Sequence, residues 1–309
     1  MIRRTSRNGR PRLWFRQTWF HVIRCLDSWI KKAARATGRR LRSRSVAPKH
    51  KSEGRFARSV SDARIQHRKY RLPSTGEVLP YALFVPAGYD QRSEPVPLLV
   101  SLHGLSYSYD SLLGLDGFLD AAQSQSMAVV APLGYTRSGW YGAPDLCAGG
   151  DSWSPRSEED VMCVIQRVRD ELEVDASRIY CWGYSMGGAG ALHLSIKYPH
   201  LFAALGLAAP AVGVPGEVEP FANQESLRPI SHVPAMVVQG RFDRPVPVQQ
   251  TRQLVDDMLA VGTDVHYIEL NCGHVPPPGH LVRQLIEFVA AQCRADVDAE
   301  KLGKEHLAC

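Results

Sequence analysis

Past residue 60 the chain settles into short apolar runs separated by stretches of helical periodicity, the pattern of strands joined by helices into a largely parallel sheet. Residues 64–72 and 78–85 read as an antiparallel hairpin, because Pro73-Ser74-Thr75-Gly76 between them is turn chemistry. Residues 97–102, Pro-Leu-Leu-Val-Ser-Leu, are an almost unbroken apolar run, as a central strand covered on both faces requires. Residues 127–131 read the same way. A helix is predicted from 158 to about 172, where Val161, Ile165, Val168 and Leu172 share a face and Ser157 with Asp160 looks like a capping box. Strand 178–182, helix 186–198, strands 202–208 and 235–239, helix 248–260, strand 264–270 and helix 279–292 complete the alternation. No internal repeat is present. Neither segment 133–157 nor Pro276-Pro277-Pro278 is long enough to separate domains, so one domain is expected over residues 61–295, followed by a tail at 296–309.

Charge divides the chain before that domain begins. Residues 1–60 hold 18 Lys or Arg against Asp27 and Glu53, a net of +16, so the overall +6 leaves the remainder at −10. The basic excess belongs to an arm, and the acidic body has no reason to attract nucleic acid. Within the arm Trp19, Ile23, Leu26, Trp29, Ile30 and Ala33 recur at helical spacing beside Arg16, Arg24, Lys31, Lys32 and Arg35, giving a short basic amphipathic helix. Three readings of the arm stand side by side: a solvated tail, a weak membrane-surface contact through Trp19 and Trp29, and an Arg-rich targeting segment. Its longest uncharged run up to residue 36 is Gln17 to Ile23, too short for a secretory core or a bilayer span. The longer uncharged runs further on are broken by glycines and prolines, so no transmembrane segment is expected. The seven cysteines, Cys25, Cys147, Cys163, Cys181, Cys272, Cys293 and Cys309, form no C-x-x-C pair and are odd in number. That pattern points to a reducing compartment, and with no leader recognised the expected location is cytoplasmic; a disulfide between Cys147 and another cysteine stays open for an exported protein.

The chemistry is concentrated where strand 178–182 meets the next helix, at Gly183-Tyr184-Ser185-Met186-Gly187-Gly188. This is G-x-S-x-G in a strand-to-helix context, where a sharp turn needs small neighbours and Gly183 and Gly187 supply the room. A serine hydroxyl is a weak nucleophile at neutral pH. It needs a base, a carboxylate to orient the base, and donors for the developing oxyanion. Asp243, in Gly240-Arg241-Phe242-Asp243-Arg244-Pro245-Val246-Pro247, follows the strand ending at Gln239; His274, in Asn271-Cys272-Gly273-His274, follows the strand ending at Leu270. Both would emerge at the C-terminal edge of the sheet, on the serine's side. His280, the rival base, falls at the start of the last helix. For the oxyanion hole the candidates are the backbone amides of Leu105, in His103-Gly104-Leu105, and of Met186; Gly104 is where backbone can turn in close to a substrate, and His103 is read as structural. Substrate contacts are expected from segment 133–157, where Tyr135, Trp140, Tyr141, Cys147 and Trp153 could wall an aromatic pocket, or simply pack. His274 and His280 lack a third ligand at metal spacing, and neither H-E-x-x-H nor G-x-G-x-x-G occurs, so no metal and no cofactor are expected.

Through His103-Gly104, the Gly183–Gly187 elbow, Gly240-x-x-Asp243-x-x-Val246-Pro247 and Gly273-His274, residues 64–293 resemble the α/β-hydrolase superfamily of serine hydrolases. The stretch from Tyr81 to Tyr89 before the 97–102 strand is similar to single-domain esterases: feruloyl esterases, polyhydroxybutyrate depolymerase-like enzymes and peptidases of prolyl-oligopeptidase type. Ser185-Met186-Gly187-Gly188 replaces the Ser-Ala-Gly-Gly common in depolymerase-like relatives, which argues against a polymer substrate. The resemblance implies an α/β-hydrolase fold, a mostly parallel sheet with helices on both faces preceded by the basic arm. It also implies cleavage of a small-molecule carboxylic ester through an acyl-enzyme at Ser185, with His274 moving the proton and Asp243 orienting it. A serine peptidase and a non-catalytic scaffold are the alternatives.

Overall fold

The computed structural model describes residues 59–143, 153–213 and 221–294. The strands are β1 (Ile65–Arg71), β2 (Val78–Phe84), β3 (Val96–Leu102), β4 (Ala128–Pro132), β5 (Val174–Tyr184), β6 (Ala204–Ala208), β7 (Ala235–Gly240) and β8 (Val265–Leu270). They form one sheet among the described residues, in the order β1-β2-β4-β3-β5-β6-β7-β8. β1 and β2 make the expected hairpin, and β2 is also antiparallel to β4; every other pair is parallel. The helices are α1 (Phe118–Ser124), α2 (Trp153–Glu171), α3 (Met186–Lys197), α4 (Gln224–Leu227), α5 (Val248–Ala260) and α6 (Gly279–Ala290).

Every residue of β3, β4, β6 and β7 is buried, which is why these strands read as continuous apolar runs rather than alternations. On one face, Phe118, Leu119 and Ala122 of α1 pack with Leu281, Leu285, Ile286 and Val289 of α6 against Trp182 and Tyr180 of β5. Trp182 stacks on Phe118 with ring centroids 5.6 Å apart, and its indole N–H donates to the Ser101 hydroxyl at 2.9 Å. The other helices pack on the sheet as parallel crossovers do, α3 between β5 and β6 and α5 between β7 and β8.

Three expectations need correction. Helix α2 starts at Trp153 rather than residue 158, so Ser157 and Asp160 lie inside it and cap nothing. Their polar atoms serve the loop after β4 instead: the Ser157 hydroxyl donates to Gly134 O at 2.6 Å and accepts from Tyr141 N–H at 2.9 Å, while Asp160 accepts from Tyr70 OH at 2.6 Å and Tyr135 N–H at 2.8 Å. Helix α1 had no counterpart in the periodicity. Cys163 is disulfide-bonded, against the expectation of a reduced protein; Cys181, Cys272 and Cys293 are free. Among the described residues no helix is long and apolar enough to cross a membrane. The basic arm as far as residue 58, Cys147 and the tail from residue 295 lie outside the described residues.

Candidate active site

Ser185 lies between Tyr184, the last residue of β5, and Met186, the first of α3, with φ 56° and ψ −115°. That conformation is costly for a side-chain-bearing residue, by about 1–3 kcal/mol, and persists because its surroundings fix it. The Ser185 N–H donates to Ala208 O of β6 at 2.8 Å, and its carbonyl accepts from Ala189 and Ala211 N–H, each at 3.1 Å. Room for the turn comes from glycine. A Cβ on Gly183 would lie 2.1 Å from Gly187 O, and one on Gly187 would lie 1.9 Å from Leu102 O. The glycine pattern of the motif is therefore the condition for α3 to approach β3 and β5.

Asp243 and His274 stand on two loops zipped to each other. Arg241 N–H donates to Leu270 O at 2.8 Å and Phe242 N–H to Cys272 O at 2.9 Å, joining the exit of β7 to that of β8. The Asp243 carboxylate is buried and accepts from His274 Nδ1 at 2.7 Å, Val246 N–H at 2.9 Å and Gln239 Nε2 at 3.3 Å. A carboxylate only accepts, so the imidazole proton sits on Nδ1 and leaves the Nε2 lone pair for the Ser185 hydroxyl, 2.9 Å away. The imidazole also lies against the Tyr184 ring, centroids 5.0 Å apart, and Tyr184 packs on Tyr107 at 5.8 Å. Burial raises the Tyr184 phenol well above its usual pKa, so it faces the histidine as a neutral ring. The stack was not foreseen; the aromatic at the second position of the elbow was its only sequence signal. His280 is exposed in the first turn of α6.

The two expected oxyanion donors are Met186, in the elbow, and Leu105, after β3. Met186 is the first residue of α3, so its N–H has no acceptor inside the helix. Leu105 follows β3, and among the described residues its N–H meets no acceptor. Gly104 is buried, and a Cβ there would lie 3.0 Å from the Tyr184 ring and 3.4 Å from Tyr184 O.

The aromatic residues of the loop after β4 are held largely inside the protein. Tyr135 is buried, and its hydroxyl donates to Glu77, just before β2, at 2.5 Å. Trp140 is buried, and Tyr141 is fully buried against Gly190 with its hydroxyl donating to His103 O at 3.2 Å. Trp153 opens α2, and its side chain lies outside the described residues. Gly134, Tyr135, Trp140, Tyr141 and Gly142 all have positive φ, so this loop is a tightly folded support. Flanking Asp243 and His274 instead are two large apolar side chains more than half exposed, Phe242 at 64% and Val275 at 52%.

The "Esterase" family model, described as "Putative esterase", matches residues 73–257. The chain is 26% identical over 251 residues to "Putative esterase NocK" of Nocardia uniformis subsp. tsuyamanensis, covering 80% of this chain and 65% of that protein, and 33% identical over 98 residues to "Cutinase est1" of Thermobifida alba, covering 32% and 29%. Among solved structures, a thermostable esterase superposes with a TM-score of 0.58 at 25% identity, over 75% of this chain and 64% of that one. A ferulic acid esterase from Anaeromyces mucronatus gives 0.58 at 16% identity, over 78% and 96%. The chain thus spans less than two thirds of the length of the first relative and of the first structure. With the family model covering more than half of its residues, the chain belongs to the Esterase family and has the α/β-hydrolase fold.

Proposed function

We propose that this protein hydrolyses small-molecule carboxylic esters in two steps through an acyl-enzyme on Ser185. One observation carries the reading: an unbroken chain of hydrogen bonds from the Ser185 hydroxyl through His274 to the buried Asp243 carboxylate, at 2.9 and 2.7 Å, with the serine held at a strained turn. As the serine oxygen attacks the ester carbonyl, Nε2 of His274 takes its proton. The imidazolium so formed stays aligned by Asp243, whose carboxylate is already fixed by Val246 N–H and Gln239. The carbonyl oxygen becomes an anion facing the amides of Leu105 and Met186. The latter lies at the positive end of α3, so two fixed dipoles oppose the developing charge without reorganising. His274 then returns the proton to the departing alcohol, and a water molecule repeats the sequence to release the acid. The residues named need no cofactor for these steps. Residues 61–295 form the catalytic domain in this reading.

The test uses the full chain and p-nitrophenyl esters from acetate to decanoate. Wild type is expected to turn over at least part of the series, and Ser185→Ala to lose about a thousandfold or more in kcat. A Ser185→Ala variant as active as wild type would overturn the assignment. Wild type inert to every ester but active on peptides would replace it with the peptidase reading.

A further inference from the structure

Tyr184 stands between the first glycine and the serine of the elbow, and its side chain lies against the base rather than in a separate core. The ring is buried, and its neighbours fix where it lies. Its backbone is held at the end of β5 by pairing with Ala208 of β6. Gly104 leaves room for the ring after β3, since a Cβ there would lie 3.0 Å from it, and Tyr107 covers it with centroids 5.8 Å apart and planes tilted by 31°. The His274 imidazole also packs on it, with centroids 5.0 Å apart and planes again tilted by only 31°. At that tilt the imidazole meets the negative π face of the phenol ring and not its positive rim.

We propose that Tyr184 is a positioning residue for the ester hydrolysis inferred above, on which this assignment rests, and that its ring face stabilises the His274 imidazolium formed as Ser185 gives up its proton. A cation over an aromatic face within about 6 Å of the centroid is attracted by the ring quadrupole. A neutral imidazole gains far less. The contact therefore favours the state in which the proton has moved from the serine oxygen to Nε2 over the resting state, and an interaction of that kind raises kcat. Because the ring is packed in place beforehand, nothing has to reorganise as the charge appears. The titratable groups packed around the imidazole are Asp243 on the loop after β7, Cys272 on its own loop, Tyr184, and Tyr107 behind Tyr184. Burial raises the Cys272 thiol and both phenols, so these three are uncharged at and below neutral pH. Arg244, next to Asp243 in the chain, is exposed. The positive charge is thus met by a carboxylate at Nδ1 and by a π face across the ring.

Ring fluorination separates charge from shape, because fluorine is little larger than hydrogen and each one draws negative charge off the ring face. The full chain is made as Tyr184→Leu, as Tyr184→Phe, and as Tyr184→Phe carrying one, two or three ring fluorines. Tyr184→Phe keeps the face and should stay within about threefold of wild-type kcat on the best p-nitrophenyl ester. From the plain to the trifluorinated ring kcat should fall stepwise by about tenfold in all, inside the roughly 2- to 30-fold that a cation–π contact supplies, with KM within about twofold. Weaker stabilisation of the imidazolium lets the imidazole lose its proton at lower pH. The acid limb of kcat/KM should therefore move down stepwise, by up to about one pH unit. The fluorinated proteins should melt within a few degrees of Tyr184→Phe. If Tyr184 acts by packing alone, Tyr184→Leu loses activity while the fluorinated series is flat; a flat series, in kcat or in the acid limb, overturns the proposal. If wild type hydrolyses esters through Ser185 and the series is flat, the hydrolase reading stands and the role of Tyr184 falls. If Ser185→Ala matches wild type, both fall together.

Discussion

Adding one methyl group at Gly187 tests the close approach that builds the elbow. A Cβ there would meet Leu102 O at 1.9 Å, Leu102 C at 2.5 Å and His103 O at 2.8 Å. The first contact is about 1.5 Å short of ordinary van der Waals separation, and the obstacle is backbone of a fully buried central strand, which has no rotamer to yield. Either α3 withdraws or the end of β3 moves by about 1 Å. Overpacking in a well-packed core costs 1–3 kcal/mol, and with backbone as the obstacle Gly187→Ala should cost about 3 kcal/mol or more. For a domain of this size that is a fall in Tm of roughly 6–12 °C. The end of β3 carries the Leu105 amide and the start of α3 carries Met186. A displacement of about 1 Å between them should therefore lower kcat about a hundredfold even where the protein is folded. Gly273→Ala is the control: it lies beside His274, its φ is not positive, and its Cβ would meet nothing nearer than Phe242 O at 3.7 Å. Thermal melts and ester kinetics of the two variants decide the matter. A Gly187→Ala protein melting within 2 °C of wild type, with kcat within about threefold, would refute the packing argument.

The buried Asp160 gives a pH prediction. Burial pushes its carboxyl up to about 6 from 3.8 despite the bonds from Tyr70, Tyr135 and Gly134, so the folded state binds the proton more tightly than the unfolded chain. Its contribution is complete below about pH 4 and is lost as pH rises through 6, by up to about 3 kcal/mol; the difference in Tm between wild type and Asp160→Asn should change over that window, and a constant difference from pH 4 to 7 refutes it. Phe242 and Val275 should contact the substrate's hydrocarbon. Replacing both with Ser should raise KM for octanoate esters about tenfold and leave acetate esters within about twofold, since each buried CH₂ is worth about 0.8 kcal/mol; an equal effect on both esters removes the apolar-contact role.

The sheet was legible because its central strands are buried on both faces and so leave continuous apolar runs, while α3, α5 and α6 leave helical periods within two residues of their observed ends. Helix α1 was not, because seven residues entered through a left-handed Gly117 give too few turns for a period to register. The start of α2 was misplaced because the Ser157 and Asp160 pattern is real but serves a different purpose. A local motif cannot reveal that its hydroxyl and carboxylate are committed to a loop some 20 residues earlier. The Cys163 disulfide was not settled by the sequence, since spacing does not say which cysteines meet.

The candidate site divides along the same line. Ser185, Asp243 and His274 were findable because each follows directly on a strand, and a parallel sheet delivers strand ends to one edge. What aligns them was not findable, because it consists of long-range contacts: the carboxylate held by Val246 and Gln239, the Tyr184 ring beside His274, and the Gly104 carbonyl held by His103 and Tyr107. For the aromatic residues of the loop after β4, residue type alone does not distinguish a pocket wall from a support. The left-handed backbone at Tyr135, Trp140 and Tyr141 and the bonds to Glu77, Ser157 and His103 make it a support.

The arrangement separates chemistry from recognition in a way that follows from the strand order. The proposed machinery comes from the ends of β3, β5, β7 and β8, and its parts are cross-linked by backbone bonds: β5 to β6 through Ser185 and Ala208, and β7 to β8 through Arg241 and Phe242. β4 contributes no reacting group. Its loop instead braces the exit of β3 through the Tyr141 hydroxyl on His103 O, and is itself held to α2 by Ser157 on Gly134 O. Among the described residues, Phe242 and Val275 are the large exposed apolar groups next to Asp243 and His274 in the chain, on the same zipped loops. A substitution in the β4 loop should therefore act on alignment, lowering kcat with little change in substrate preference. A substitution at Phe242 or Val275 should act on preference and leave the hydrogen-bonded chain intact. That split follows from which side chains are spent inside the protein and which are left facing out.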